Sequence, residues 1–524
     1  MNGIDVMYLN LPRDVAKRAA MEEQFRGTPV RLHRIEPIPL DTLRLSFPER
    51  HQNAGSGSWM DHMRGIYSKQ EVSIIMSYKK ALRHALDRGL APPFVVLDDD
   101  VRANASQVVR VLAHDVRHAP RSWEVLQFIV NNALARKQLC KMCELFVPWF
   151  PEFYSTAFTV IRSREVAEAI AWTPPTGHMV LDNWLFRTFV SFTHTRNVFE
   201  AVRWDGAVNG DEEDSFVHCA SDSPVSKVAR KTTVAAVTVT THRDMSRFER
   251  LSLHPNVHLY VIASARHLGR PASTVRYLPW VRASGRFSKW IFFDRFVRHR
   301  AAPYDFVFFV DDDMRLDGFP WSTLIHESLT TPAQVVGIPR ESEFSNTVYR
   351  MRDWQKDEAR GHFVVSNGDF WRRLGSKRSH KWSRWQTKAL DPENVSFVEQ
   401  GVTLFRTDFA RWYFEQIEPL VARMRTSRSD WGVDVMWCAA ASEYSRAGRA
   451  KLIPCRMFGF PIWHTDEGTL TQHYDVERSR GFRASGDRQL AFLRSVPRYR
   501  AWMDAARGGM VAKNLRPKDM PNVR

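Results

Sequence analysis

No stretch of eighteen apolar residues occurs in this 524-residue chain, so no membrane-spanning helix is expected. The opening MNGIDVMYLNL has no charged start followed by a long apolar run, so it reads as a first strand, not a signal peptide. Cysteine is scarce. Five residues, an odd number, fit a reducing cytoplasm. Cys140 and Cys143 form a CxxC with no second pair nearby, which reads as two ordinary thiols before zinc or redox use. No GxxxxGK[ST] is present, which excludes P-loop chemistry. No helix-turn-helix, zinc-finger or RNA-binding signature appears either, which argues against a purely nucleic-acid-binding protein.

What remains is globular in composition, with 44% hydrophobic and 25% charged residues, and long enough for two or three domains. The net charge of +17 is unevenly spread. Residues 1–230 hold 28 Lys and Arg against 27 Asp and Glu, and the remainder holds 47 against 31. An excess confined to one half points to an anionic partner: DNA, an acidic glycan, or a peripheral contact with an anionic membrane surface. Solubility alone is the plainer alternative.

Two acidic triplets carry the most information. Phe94 to Leu97 leads into Asp98-Asp99-Asp100, and Phe306 to Val310 leads into Asp311-Asp312-Asp313. Short apolar runs read as buried strands, and carboxylates at a strand's carboxyl end sit where open α/β sheets bind ligands. Like charges packed there need a cation, and oxygen ligands suit Mn²⁺ or Mg²⁺ that also hold a substrate's phosphates. The layout resembles the DxD motif of nucleotide-sugar glycosyltransferases of the GT-A type. Two such strands predict an α/β fold of two tandem GT-A-like domains, Rossmann-like mixed sheets flanked by helices. The expected boundaries are 1–205 and 232–470, with a polar linker over 206–231 and a basic helical tail over 471–524. A flexible Gly-Ser loop, residues 54–58, precedes a helix expected over about 70–88, where Val72, Ile75, Met76, Ala81, Leu82 and Ala85 recur at helical spacing.

In the first half, YLNLPRDVAKRAAMEEQF, Glu71, Ser77, the 98–100 triplet and Asp182-Asn183-Trp184-Leu185 together resemble glycosyltransferase family 25 over residues 3–200. Tyr78 stands where that family has His. Asp98 and Asp100 alternate on an extended chain and so share a face toward one cation or a ribose. Asp100 is the expected metal ligand, while Asn10, Arg13, Arg18 and Asp98 are expected at the nucleotide-sugar. Arginines at a strand–helix junction suit a diphosphate, although a solvated surface charge is the alternative for each. Asp182 is a candidate base or acceptor contact.

The second half places Glu399 in SFVEQGVTLF, Asp434 in SDWGVDVMWC and His464 in PIWHTDEGTL after its triplet. That order resembles a GT-A-like bacterial and plant domain family of unknown function. The resemblance implies Asp311, Asp313 and His464 as metal ligands, Asp312 and Asn367 at a UDP-sugar, and Asp434, then Glu399, as the base. A packed histidine beside Trp463, a helix cap at Asp434 and a plain turn at Asn367 remain open. Residues 377–388 interleave Trp382 and Trp385 with cations, which suits a flipped base, a stacked sugar or simple core. The expected activity is transfer of a sugar to a hydroxyl. The favoured acceptor is a hydroxymethylated pyrimidine in DNA, ahead of a lipopolysaccharide-type glycan.

Overall fold

The computed structural model describes residues 3–39, 69–102, 105–131, 133–150, 153, 155–172, 181–196, 200–201, 231–240, 253–264, 275–280, 289–312, 314–338, 340–342, 402–427, 433–448, 452–458, 460, 462–464, 488–489 and 491–511. The chain divides into two compact units, 1–220 with 375–377 and 221–374 with 378–524. The residues of the expected 206–231 linker lie almost wholly outside those described, as do the Gly-Ser loop and residues 377–388.

The first unit is built on β1 (Ile4–Leu9), β2 (Val30–Ile35), β3 (Phe94–Asp98), β4 (Val101–Arg102), β5 (Val125–Gln127), β6 (Phe146–Pro148), β7 (Phe158–Ile161), β8 (Ser191–His194) and β9 (Glu200–Ala201). Seven form one sheet in the order β2-β1-β3-β7-β5-β8-β6. Strands β2, β1 and β3 run parallel, β7 runs against both β3 and β5, and β5 returns to the parallel sense beside β8. Phe94 to Leu97 are all buried, as a strand covered by helices on both faces must be. The helix expected over about 70–88 spans Lys69–Asp87, and Ile75, Ala81, Leu82 and Ala85 form its buried stripe. It ends at Gly89, whose φ of 64° lets Leu90 N–H reach Ala85 O at 3.0 Å before the chain turns into β3.

The second unit follows with β10 (Val234–Thr240), β11 (Val257–Ser264), β12 (Val275–Trp280), β13 (Phe306–Val310), β14 (Met314–Arg315), β15 (Ala333–Gly337), β16 (Arg340–Ser342), β17 (Val402–Arg406), β18 (Ile453–Met457) and β19 (Ile462–His464). Its seven-stranded sheet runs β12-β11-β10-β13-β17-β15-β18. The first four strands are parallel, β17 is reversed between β13 and β15, and β18 is parallel to β15. Matching β2-β1-β3-β7-β5-β8 to β11-β10-β13-β17-β15-β18 gives one shared order with one shared reversal. Both units are therefore mixed α/β folds with helices flanking a seven-stranded mixed sheet, the architecture expected of tandem GT-A-like domains.

Within the expected basic helical tail, residues 471–524, the helix Pro497–Val511 groups with the second unit. Tyr499, Trp502 and Met503 are buried, Trp502 Nε1 donates to Glu443 at 2.6 Å, and Arg498 lies over the rings of Trp412 and Trp502. Basic composition concealed an apolar stripe at helical spacing. The reduced cysteines are corrected in part. Cys438, on the helix Trp437–Arg446, is bridged to Cys455 of β18 with Cα atoms 5.3 Å apart, while Cys140 and Cys143 are half-buried thiols. Disulfides persist in oxidising compartments, so the bridge removes the support that cysteine count lent to a reducing one.

Candidate active site

Both acidic triplets stand at the carboxyl end of the parallel strand next to the sheet's first strand, β3 beside β1 and β13 beside β10. After each triplet comes a two-residue strand that leaves the main sheet. In the first unit β4 pairs antiparallel with β9, setting Val101 opposite Ala201. In the second, β14 pairs antiparallel with β19, setting Met314 opposite His464 and Arg315 opposite Trp463. A residue far along the chain is thereby returned to the position just after the carboxylates. This is how the late His464 backbone comes to lie beside the second triplet.

The first unit gives the fuller picture of side chains. Asp99 accepts from Asn10 Nδ2 at 2.8 Å and faces Lys17 Nζ at 3.5 Å. Asn10 is buried at the end of β1. Its Oδ1 accepts from Arg34 Nε at 3.0 Å, and its Nδ2 also reaches Asp14 O at 3.1 Å. Asp98 is half-buried as a residue with its carboxyl deep among protein atoms. Burial first, then the charges of Asp100, Asp99 and Asp182, raise it to about 7. Asp182 opens the helix Leu181–Thr188, and burial raises it to about 6 against the pull of a hydrogen bond with Thr156. Burial also raises Asp100, with Lys17 pulling the other way, and its Oδ1 is enclosed without a hydrogen bond.

Asn10, Asp98, Asp99, Asp100 and Asp182 thus form one neighbourhood. The cations joined to it are Lys17 and Arg34, which sequence reasoning missed. Arg13, with an 83% exposed side chain, lies 3.9 Å from Asp14, and Arg18 pairs with Glu22 one helical turn on. Tyr78, in the place of the family's His, is buried with its hydroxyl 2.6 Å from Thr159 Oγ1, so it supports β7.

In the second unit Lys289 pairs with Asp311, and Met314 N–H reaches back to Asp311 O at 3.2 Å, closing the turn that carries Asp312. Trp290 begins the next helix and packs edge-on against Trp437 at 5.3 Å. Asp434 lies one turn before Trp437, in the short helix Asp434–Met436, and is buried. Beside it Tyr413 donates to Val433 O at 2.9 Å. Burial, then the charge of Asp434, pushes that phenol well up. Asp313, Asn367 and Glu399 lie outside the described residues. Among the described residues no three His, Cys, Asp or Glu side chains are arranged to hold a metal ion, and no helix is long and apolar enough to cross a membrane.

No protein-family model matches the chain. No curated protein matches it either. Among solved structures it is similar to S. aureus TarS 1-349, at 10% identity over 54% of this chain and 89% of that one, with a TM-score of 0.26. A likeness that weak bears on neither fold nor function.

Proposed function

We propose that the chain is a glycosyltransferase that moves a sugar from a nucleotide-sugar, first a UDP-sugar, to a hydroxyl of an anionic polymer. The observation that supports this most is the pairing of Met314 with His464. It sets a late histidine beside an acidic triplet that closes a central parallel strand. Carboxylate oxygens and an imidazole nitrogen suit Mn²⁺ or Mg²⁺, so Asp311, Asp313 and His464 are the residues that would hold such an ion. Bound there, it would supply positive charge toward the leaving nucleoside diphosphate. Asp312 and Asn367 are assigned to the donor, and Lys289 adds a fixed cation at the same strand end.

Asp434 is the first-choice base and Glu399 the second. The base takes the proton of the acceptor hydroxyl as that oxygen bonds to the anomeric carbon. The bond to the diphosphate breaks on the opposite face, which inverts the centre. In the first unit Asn10 and Asp98 are assigned to a donor, with Arg13, in the turn before the helix Val15–Gln24, and Arg18, on that helix, entering only if their side chains turn inward. Asp182 contacts the acceptor or serves as its base.

Two acceptors match the basic second half. Hydroxymethylated DNA fits the excess of 47 basic over 31 acidic residues, and its target base would have to be flipped out. A surface glycan is favoured by the Cys438–Cys455 bridge, which belongs to an oxidising compartment. The test is a mass-spectrometric screen of UDP-sugars with Mn²⁺ against hydroxymethylcytosine DNA and lipo-oligosaccharide. A sugar mass on either polymer, lost in Asp311→Asn, supports the reading and names the acceptor. No transfer from any donor to either polymer counts against it.

A further inference from the structure

We infer that the first unit takes no divalent cation at its acidic triplet and that Lys17 is its built-in counter-charge, so that metal use is confined to the second unit. The second half of that statement rests on the metal assignment proposed above. The first half rests on how the duplicated architecture differs at one position. Val101 and Met314 are equivalent, each the first residue after a triplet and each in the short strand that leaves the sheet. Their partners across that ribbon are equivalent too, and there the units part: Ala201 stands where the second unit has His464. A methyl group donates nothing to a metal.

Of the three carboxylates, Asp99 is already engaged. Asp99 accepts from Asn10 at 2.8 Å on one oxygen and has the Lys17 ammonium at 3.5 Å on the other. Asn10 cannot swing away, because Arg34 holds its carbonyl oxygen at 3.0 Å. The side chains of Asp98, Asp99, Asp100 and Asp182 are all described, yet they do not converge on a common centre as a metal shell. Mn²⁺ and Mg²⁺ need about six oxygen or nitrogen donors at about 2.0–2.2 Å, and Asp99 is instead held by an amide and an ammonium. A lysine alone does not distinguish the units, since Lys289 pairs with Asp311 in the second. The residue across the ribbon does.

The experiment is Mn²⁺ binding to the full chain by equilibrium dialysis, read as ions bound per chain. Wild type is compared with Asp311→Asn, Asp100→Asn and Asp98→Asn, with circular dichroism to establish folding. The expected result is one Mn²⁺ per chain, lost in Asp311→Asn and retained in both first-unit variants. Two Mn²⁺ per chain, or an ion lost in Asp100→Asn or Asp98→Asn with the fold intact, would overturn the inference. No Mn²⁺ in the wild type would leave the first-unit inference standing and refute the metal assignment of the second unit.

Discussion

Replacing Asp98 by Asn should stabilise the first unit, and the gain should grow with pH. The Asp98 carboxyl rises from 3.8 to about 7, with burial the largest cause and the three neighbouring carboxylates next. A carboxyl raised in the folded state opposes folding when ionised. Its protonation stabilises fully below about 3.8, and that contribution is lost as pH rises through about 7. Each unit of pKa is about 1.4 kcal/mol, so the full penalty above about pH 7 is roughly 4 kcal/mol, of which some 2–3 kcal/mol develops between about pH 5 and pH 8. For a unit of this size that corresponds to a midpoint shift on the order of 5–10 °C. The assay is thermal unfolding of the full chain in chelator, followed by near-ultraviolet circular dichroism at both pH values. Asp98→Asn should melt modestly above wild type at the lower pH and further above it at the higher. A difference that is pH-independent, or a variant less stable at about pH 8, would refute the burial of a like-charged cluster at this strand end.

Asp182→Asn should behave the same way to a smaller extent, since its carboxyl rises only to about 6, and the same melts measure it. Lys17→Ala removes the counter-charge of Asp99 and should cost about 1 kcal/mol at neutral pH, falling away as acid neutralises the triplet; urea unfolding against pH reads this. Cys438 and Cys455 should resist alkylation until reduced, and breaking their 17-residue loop should cost the second unit about 3 kcal/mol; intact thiol reactivity without reductant would contradict the bridge. At acid pH, Asp115 acts in the opposite sense to Asp98. Burial raises it, but hydrogen bonds from His194 and His114 outweigh that and hold it at about 2, so its contribution is present above about 3.8 and lost as pH falls through about 2. Asp115→Asn should therefore narrow the acid limb of the stability curve. Trp502→Ala should free the helix Pro497–Val511 to protease and destabilise the second unit by about 3 kcal/mol or more, because it empties a buried site shared with Trp412 and Tyr413.

The strands that carry the triplets were legible because full burial leaves an uninterrupted apolar run, and the helix Lys69–Asp87 because its stripe recurs at 3.6. The repeated order of signals in the two halves was legible too, though not the shared strand order, since pairing of β17 between β13 and β15 joins segments far apart in sequence. The site was read in part. Asn10 bonds to Asp99 and the charge of Asp182 acts on Asp98, while the cation beside Asp99 is Lys17 and the expected Arg13 and Arg18 pair elsewhere. Lys17 lies one turn before buried Met21 and so on the inward edge, while Arg18 lies one turn before Glu22 and pairs with it outside. That spacing was available in the sequence. The Cys438–Cys455 bridge was not, because it depends on β18 returning beside the helix before it.

The most direct test of the central claim is release of nucleoside diphosphate from a panel of nucleotide-sugars by the full chain with Mn²⁺, comparing wild type with Asp311→Asn and His464→Ala. The account predicts turnover of at least one donor that falls by about 100-fold or more in both variants. Turnover unchanged in the variants, or no donor turned over by the wild type, would contradict it.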